Sequence, residues 1–283
     1  MKQAHLLLVG LAVLVFFGAA YIYGLDKQTL SPVEIFWMQK DKQNALPKAE
    51  ESRDYMIPSD VELKNMSNTQ WKQIYWKYIN RLQTLCKDVV RVGKLKDGEK
   101  EICADERYRP RAPCIIYSFG INNDFSFDHE AVKMFGCDVF CFDPSMKMES
   151  KRISDHVWFY NWGLSGENTV DKQGWKMKTL RTIRNDLGHS NKTIDILKMD
   201  IETFEWNSML QMIPAGDLDD VRQFAVEAHF MHGNIPGNSQ LSALRQLYDR
   251  GFRIFMRDRN LYFGIEGSMT TLNEISLINV LYS

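Results

Sequence analysis

The chain has 283 residues, 45% hydrophobic and 25% charged, a balance that suits one substantial globular domain with appendages. A formal net charge of −1 gives no electrostatic case for a nucleic-acid partner, whose binders carry a basic face. Lys176, Lys178, Arg181 and Arg184 form a local basic patch, read here as a solvated helix face.

In chain order, the first feature is the apolar run 6–23, preceded by Lys2 and His5 and followed by Gly24 and Asp26. As a helix it covers about 27 Å, enough for a thin hydrocarbon layer. Gly18-Ala19-Ala20 offers a signal-peptide cleavage site, but the run continues through Tyr21-Ile22-Tyr23, which favours an uncleaved anchor. The expectation is a signal anchor over 1–25 with the membrane as partner. The topology is single-pass type II in the Golgi membrane, with the remainder lumenal. Residues 26–64, with Pro32, Pro47 and Pro58 and no sustained period, read as a stem. Asn65-Met66-Ser67 and Asn191-Lys192-Thr193 are glycosylation acceptors in such a setting.

Residues 65–102 read as an accessory region. Trp71, Ile74, Tyr75, Tyr78, Ile79, Leu82, Leu85, Cys86 and Val89 recur at three and four, one stripe along a helix of about six turns. The five cysteines, Cys86, Cys103, Cys114, Cys137 and Cys141, include no C-x-x-C pair and no zinc spacing. One or two disulfides fit an oxidising lumen, while Cys137 and Cys141 also suit the free state as small buried hydrophobes.

From 103 to 283 the pattern alternates. Strands are expected at 114–119, 138–142, 157–161, 194–199, 224–228, 252–256 and 275–280, with helices at 125–135, 174–187, 204–212 and 239–248. This is an α/β fold with a mostly parallel seven-stranded sheet, helices on both faces and a terminal antiparallel hairpin. Ligands in such sheets bind beyond the carboxyl ends of the strands.

The strand ends carry the chemistry. YSFGINND (117–124) has one glycine, Gly120, so neither G-x-G-x-x-G nor a P-loop is present and a dinucleotide or nucleoside triphosphate is disfavoured. Asn122 and Asp124 can cap the next helix or hold a ligand's amine and carboxylate. FCFDP (140–144) puts Asp143 where a ribose diol would be met. NWGLSG (161–166), with Trp162 and Leu164, can wall an adenine ring. KMDIETFEW (198–206) and VEAH (226–229) end two strands in Asp200, Glu202, Glu227 and His229. His229 is a base candidate, and Asp200 and Glu227 can orient it or hold a divalent ion such as Mn, Mg or Ca. Glu202, Trp206 and His232 are substrate-side candidates, and Trp158, Trp162, Trp175 and Trp206 could stack on a sugar.

This ordered set resembles the class I S-adenosylmethionine-dependent methyltransferases, and more narrowly the FkbM-type and methyltransferase-like proteins, from about Cys114 onward. Ser118 stands in place of the family's first acid, Gly120 and Asn122 are kept, Asp124 replaces a second glycine, and Thr203 replaces the glycine after Lys-x-Asp-x-Glu. The resemblance implies S-adenosylmethionine at Ser118, Gly120, Asn122, Asp124, Asp143, Trp162 and Leu164. It also implies O-methylation, often of a sugar hydroxyl on a glycan. The rival readings are a small-molecule or protein O-methyltransferase and a non-catalytic lumenal adaptor with a degenerate fold.

Overall fold

The computed structural model describes residues 56–94, 98–259, 265–266 and 269–282. The apolar run 6–23 and most of the stem lie outside them. Among the described residues no helix is long and apolar enough to cross a membrane. The expected membrane partner and the type II Golgi topology are corrected on that finding, since no described element supports them.

Two short capped helices come first, α1 (Asp60–Lys64) and α2 (Asn68–Ile79), each opened by a serine capping box at Ser59 and Ser67. The six-turn helix expected from Trp71 to Val89 therefore stops early. Leu82 and Leu85 are 59% and 69% exposed. The segment instead covers a sheet edge, with the amides of Gln83 and Thr84 donating to the Ile254 carbonyl and the Gln83 side chain accepting from the Ile254 amide. A hairpin follows, β1 (Val89–Val92) and β2 (Lys100–Cys103).

The layered core then runs β3 (Ile115–Phe119), α3 (Ser126–Phe135), β4 (Asp138–Phe142), β5 (Lys151–Ser154) and β6 (Val157–Tyr160). A small three-stranded sheet comes next: β7 (Gly163–Leu164), β8 (Thr169–Val170) and β9 (Lys176–Lys178). The rest is α4 (Leu180–Asp186), β10 (Ile194–Met199), α5 (Glu205–Met212), β11 (Val221–His229), α6 (Gly237–Asp249), β12 (Phe252–Arg259), β13 (Ile265–Glu266), β14 (Met269–Thr270) and β15 (Leu272–Asn279). Where one helix was expected over 174–187, Gly174 turns with φ +82° into β9, and Thr179 then caps the shorter α4.

The main sheet has the order β12-β15-β11-β10-β3-β4-β6-β5. Strands β3, β4, β6, β10 and β11 run parallel, and β15 pairs antiparallel with both β11 and β12. The expected seven strands and terminal hairpin are all there, with β5 added antiparallel at one edge. This is the mixed α/β, Rossmann-like architecture of class I methyltransferases. The order reverses between β3 and β10, and a crevice opens at such a switch point. β10 is covered on both faces: every residue from Ile194 to Met199 is buried, Asp195 and Lys198 included.

Disulfides join Cys86 to Cys103 and Cys114 to Cys137, leaving Cys141 as a buried thiol. Cys137 is thus bonded rather than free.

Candidate functional site

At the switch point, β3 and β10 leave the sheet in contact. The Asp200 amide donates to the Phe119 carbonyl at 3.1 Å, and the Lys198 ammonium donates to the Gly120 carbonyl at 2.8 Å. Gly120 has φ +81°, and a Cβ there would overlap the Asp200 carbonyl oxygen, so any other residue would force this turn to shift. Asn122 and Asn123 continue it at positive φ with exposed side chains.

Asp143 lies beneath the turn. One carboxylate oxygen accepts from the Ile121 and Asn122 amides at 3.0 and 2.9 Å, and the other from the Ser145 amide and hydroxyl at 2.8 and 2.6 Å. All four of its acceptor directions serve the protein. The acid expected to meet a ribose therefore steadies the first turn, the work that the resemblance gives to an acid at position 118.

The structure places the other expected contact residues as follows. Ser118 is fully buried within β3, and Leu164 is 2% exposed, so their side chains belong to the core. Asp124 pairs with Lys94 at 3.0 Å and accepts from the Ser126 amide at the start of α3. Trp206 is wholly buried, and its indole N–H donates to the His229 carbonyl at 2.9 Å. Trp162 stays partly exposed beside Tyr160, with the Lys178 ammonium 3.4 Å from its ring centre.

The carboxylates and His229 do converge. Carboxylate oxygens of Asp200, Glu227 and Glu274 lie within 4.8 Å of one another. Glu227 and Glu274 are direct cross-strand partners on β11 and β15. The Lys100 ammonium, from β2, sits 3.2 Å from Asp200 and 2.8 Å from Glu274. His229 has its Nδ1 3.2 Å from Glu205, out of line for a hydrogen bond, and its Nε2 3.5 Å from Glu202 and 3.8 Å from Glu227. Exposed His232 stands 6.0 Å from His229, ring to ring, and bonds Thr271 at 2.9 Å.

Burial and neighbouring charge set the protons here. Burial, then the charges of Asp200 and Glu274, push Glu227 up to about 9. Burial opposes charge on Asp200, but Lys100 and Lys198 outweigh it and hold its carboxyl well below the usual range. Burial likewise opposes a charged His229, yet contact with Glu205, helped by Glu227 and Glu202, raises it to about 9. At neutral pH His229 thus holds a proton.

Sequence reasoning missed Lys100, Lys198 as the tie to Gly120, Glu205 beneath His229, and Glu274. The alternation of β15 could have signalled Glu274, since an acid between Leu272 and Ile275 breaks an apolar strand. Nothing in the sequence around Lys100 marks it.

Residues 39–271 match the family model described as a methyltransferase domain, and the chain belongs to that family. Among curated proteins it is similar to the probable methyltransferase-like protein 24 of Homo sapiens, 24% identical over 221 residues, 70% of this chain and 59% of that protein. The Rattus norvegicus protein of the same description is 25% identical over 178 residues, 56% of this chain and 48% of that protein. The chain spans about half to three fifths of the length of the curated relatives it matches. Family and fold make this an S-adenosylmethionine methyltransferase-like domain. The matches do not single out the FkbM type.

Proposed function

We propose that the chain is an O-methyltransferase that takes its methyl group from S-adenosylmethionine at the mouth between β3 and β10. The observation that carries this reading is the meeting of the Gly120 turn with Asp200, Glu227 and His229 at the switch point. The positive φ of Gly120 brings the turn hard against the Asp200 backbone, and exposed Asn122 on the turn and partly exposed Trp162 after β6 are the groups open to a donor at these strand ends. Asp143 serves the donor indirectly by holding the turn. The donor supplies an electrophilic methyl group, and the protein has to align an acceptor oxygen and receive its proton.

Asp200 is the ionised acceptor of hydrogen bonds in this set, suited to orient an incoming hydroxyl. His229 is the proton acceptor once it is neutral, with Glu205 fixing its ring and Glu202 and His232 on the exposed side. The acceptor is a hydroxyl-bearing small molecule or protein side chain. A sugar hydroxyl is the narrower member of this class, suggested by the resemblance of KMDIE (198–202) and FCFDP (140–144) to FkbM-type motifs. Incubation with labelled donor and separate small-molecule, protein and glycan pools tests this. Label entering a hydroxyl supports it, and label confined to nitrogen or sulfur, or entering none, refutes it.

A further inference from the structure

Asp200, Glu227 and Glu274 are grouped at metal-ligand spacing, and Glu227 faces Glu274 directly across an antiparallel pair. Two carboxyl groups set directly opposite one another resist ionising together, and the negative charge they share with Asp200 has to be balanced. The fold resolves this from outside the sheet. Hairpin β1–β2 packs over β11 and β15, held there because the Gln223 side chain exchanges two hydrogen bonds with the Cys103 backbone, at 2.8 and 2.9 Å. That contact brings Lys100, on the same strand as Cys103, over the carboxyl edge. Its side chain is 1% exposed, with the ammonium between Asp200 and Glu274.

Resting on the methyltransferase reading, we propose that Lys100 is a positioning residue whose ammonium occupies the place of a divalent cation among Asp200, Glu227 and Glu274. The site is thereby metal-independent, and the β1–β2 hairpin is an integral part of it. The ammonium supplies the positive charge that oxygen ligands would otherwise draw from Mg²⁺ or Mn²⁺. It also fixes Asp200 at the mouth of β10 without contact with donor or acceptor. Removing it takes the contacting positive charge from Asp200 and Glu274, both partly buried, which a protein tolerates poorly unless another cation enters.

The test is manganese binding, followed by electron paramagnetic resonance, to the wild-type chain, Lys100→Ala and Lys100→Ala/Glu274→Gln. Expected are no Mn²⁺ bound at the wild-type site, one Mn²⁺ bound by Lys100→Ala, and its loss in the double variant. Turnover of the wild type should survive a chelator. That of Lys100→Ala should fall about 10–100-fold, as when a supporting partner is lost, and recover in part with Mn²⁺ or propylammonium, which a merely structural lysine would not allow. If Lys100→Ala does not fold alone, recovery of its native circular dichroism in Mn²⁺ supports the role, and failure to recover overturns it. A wild-type Mn²⁺ site abolished by Glu274→Gln also overturns it, as does a folded Lys100→Ala that binds none. Manganese binding needs no methyl donor, so a wild type that fails to bind donor would sink the methyltransferase reading while leaving this result to stand on its own.

Discussion

The indole N–H of Trp206 donates to the backbone carbonyl of His229 at 2.9 Å, with both residues buried. The first turn of α5 is thereby fastened to the end of β11, and Glu205, its neighbour in sequence, is set beneath the imidazole. Trp206→Phe keeps most of the apolar volume and removes the donor. Leaving a buried carbonyl unsatisfied costs about 1–3 kcal/mol, so the urea midpoint should fall with an unchanged slope. Turnover should fall more than donor affinity does, because the displaced group is on the acceptor side.

The raised proton affinity of His229 has two consequences. Its ordinary value is 6.5 and its folded value about 9, so the stabilisation from its charged form is complete below 6.5 and is lost as pH rises through about 9. Turnover that needs the neutral imidazole runs the other way, rising with pH toward 9. Glu205→Gln removes the principal support for the charge and should move that rising limb to lower pH. Rate profiles of the wild type, Glu205→Gln and His229→Ala between about pH 7 and 11, about two units either side of the expected midpoint, check this. A limb unchanged in His229→Ala would remove His229 as the proton acceptor.

Strand positions were largely legible in the sequence, because β4 and β10 are short apolar runs bounded by turn residues. Convergence of Asp200, Glu227 and His229 followed from strand ends alone. What the sequence could not show were contacts made by closure in space. Periodicity carried the α2 stripe on through Leu82 and Leu85, whereas the competing hydrogen bonds of Gln83 and Thr84 to β12 end it. The place of Asp143 at the end of a strand is legible, but its partners Ile121, Asn122 and Ser145 depend on how the turn folds back. Lys100 reaches the site only through a hairpin with no motif of its own.

Thr203 has φ +78°, and Glu202 before it φ +52°. A β-branched residue is strained there, at the position where the family pattern has glycine. Thr203→Gly should relieve the strain, offset by glycine's larger chain entropy, for a net gain of about 1 kcal/mol. A rise in melting temperature checks it, and a fall would show that the threonine side chain contributes more than its backbone costs.

The Cys86–Cys103 disulfide closes the segment that carries β1 and β2, with a sequence separation of 17. Cys86→Ala/Cys103→Ala should lose about 2–4 kcal/mol, read by urea denaturation against the oxidised wild type. The loss should be accompanied by lower turnover, because Cys103 and Lys100 share one strand.

The central claim is that a methyl donor binds where the Gly120 turn meets Asp200. Calorimetry with S-adenosylmethionine on the wild-type chain and on Gly120→Val tests it most directly, with the fold of each followed by circular dichroism. A side chain at position 120 meets the Asp200 backbone, so the account expects saturable one-site binding by the wild type and none by a folded Gly120→Val. No binding by the wild type at millimolar donor, or undiminished binding by the variant, would contradict it.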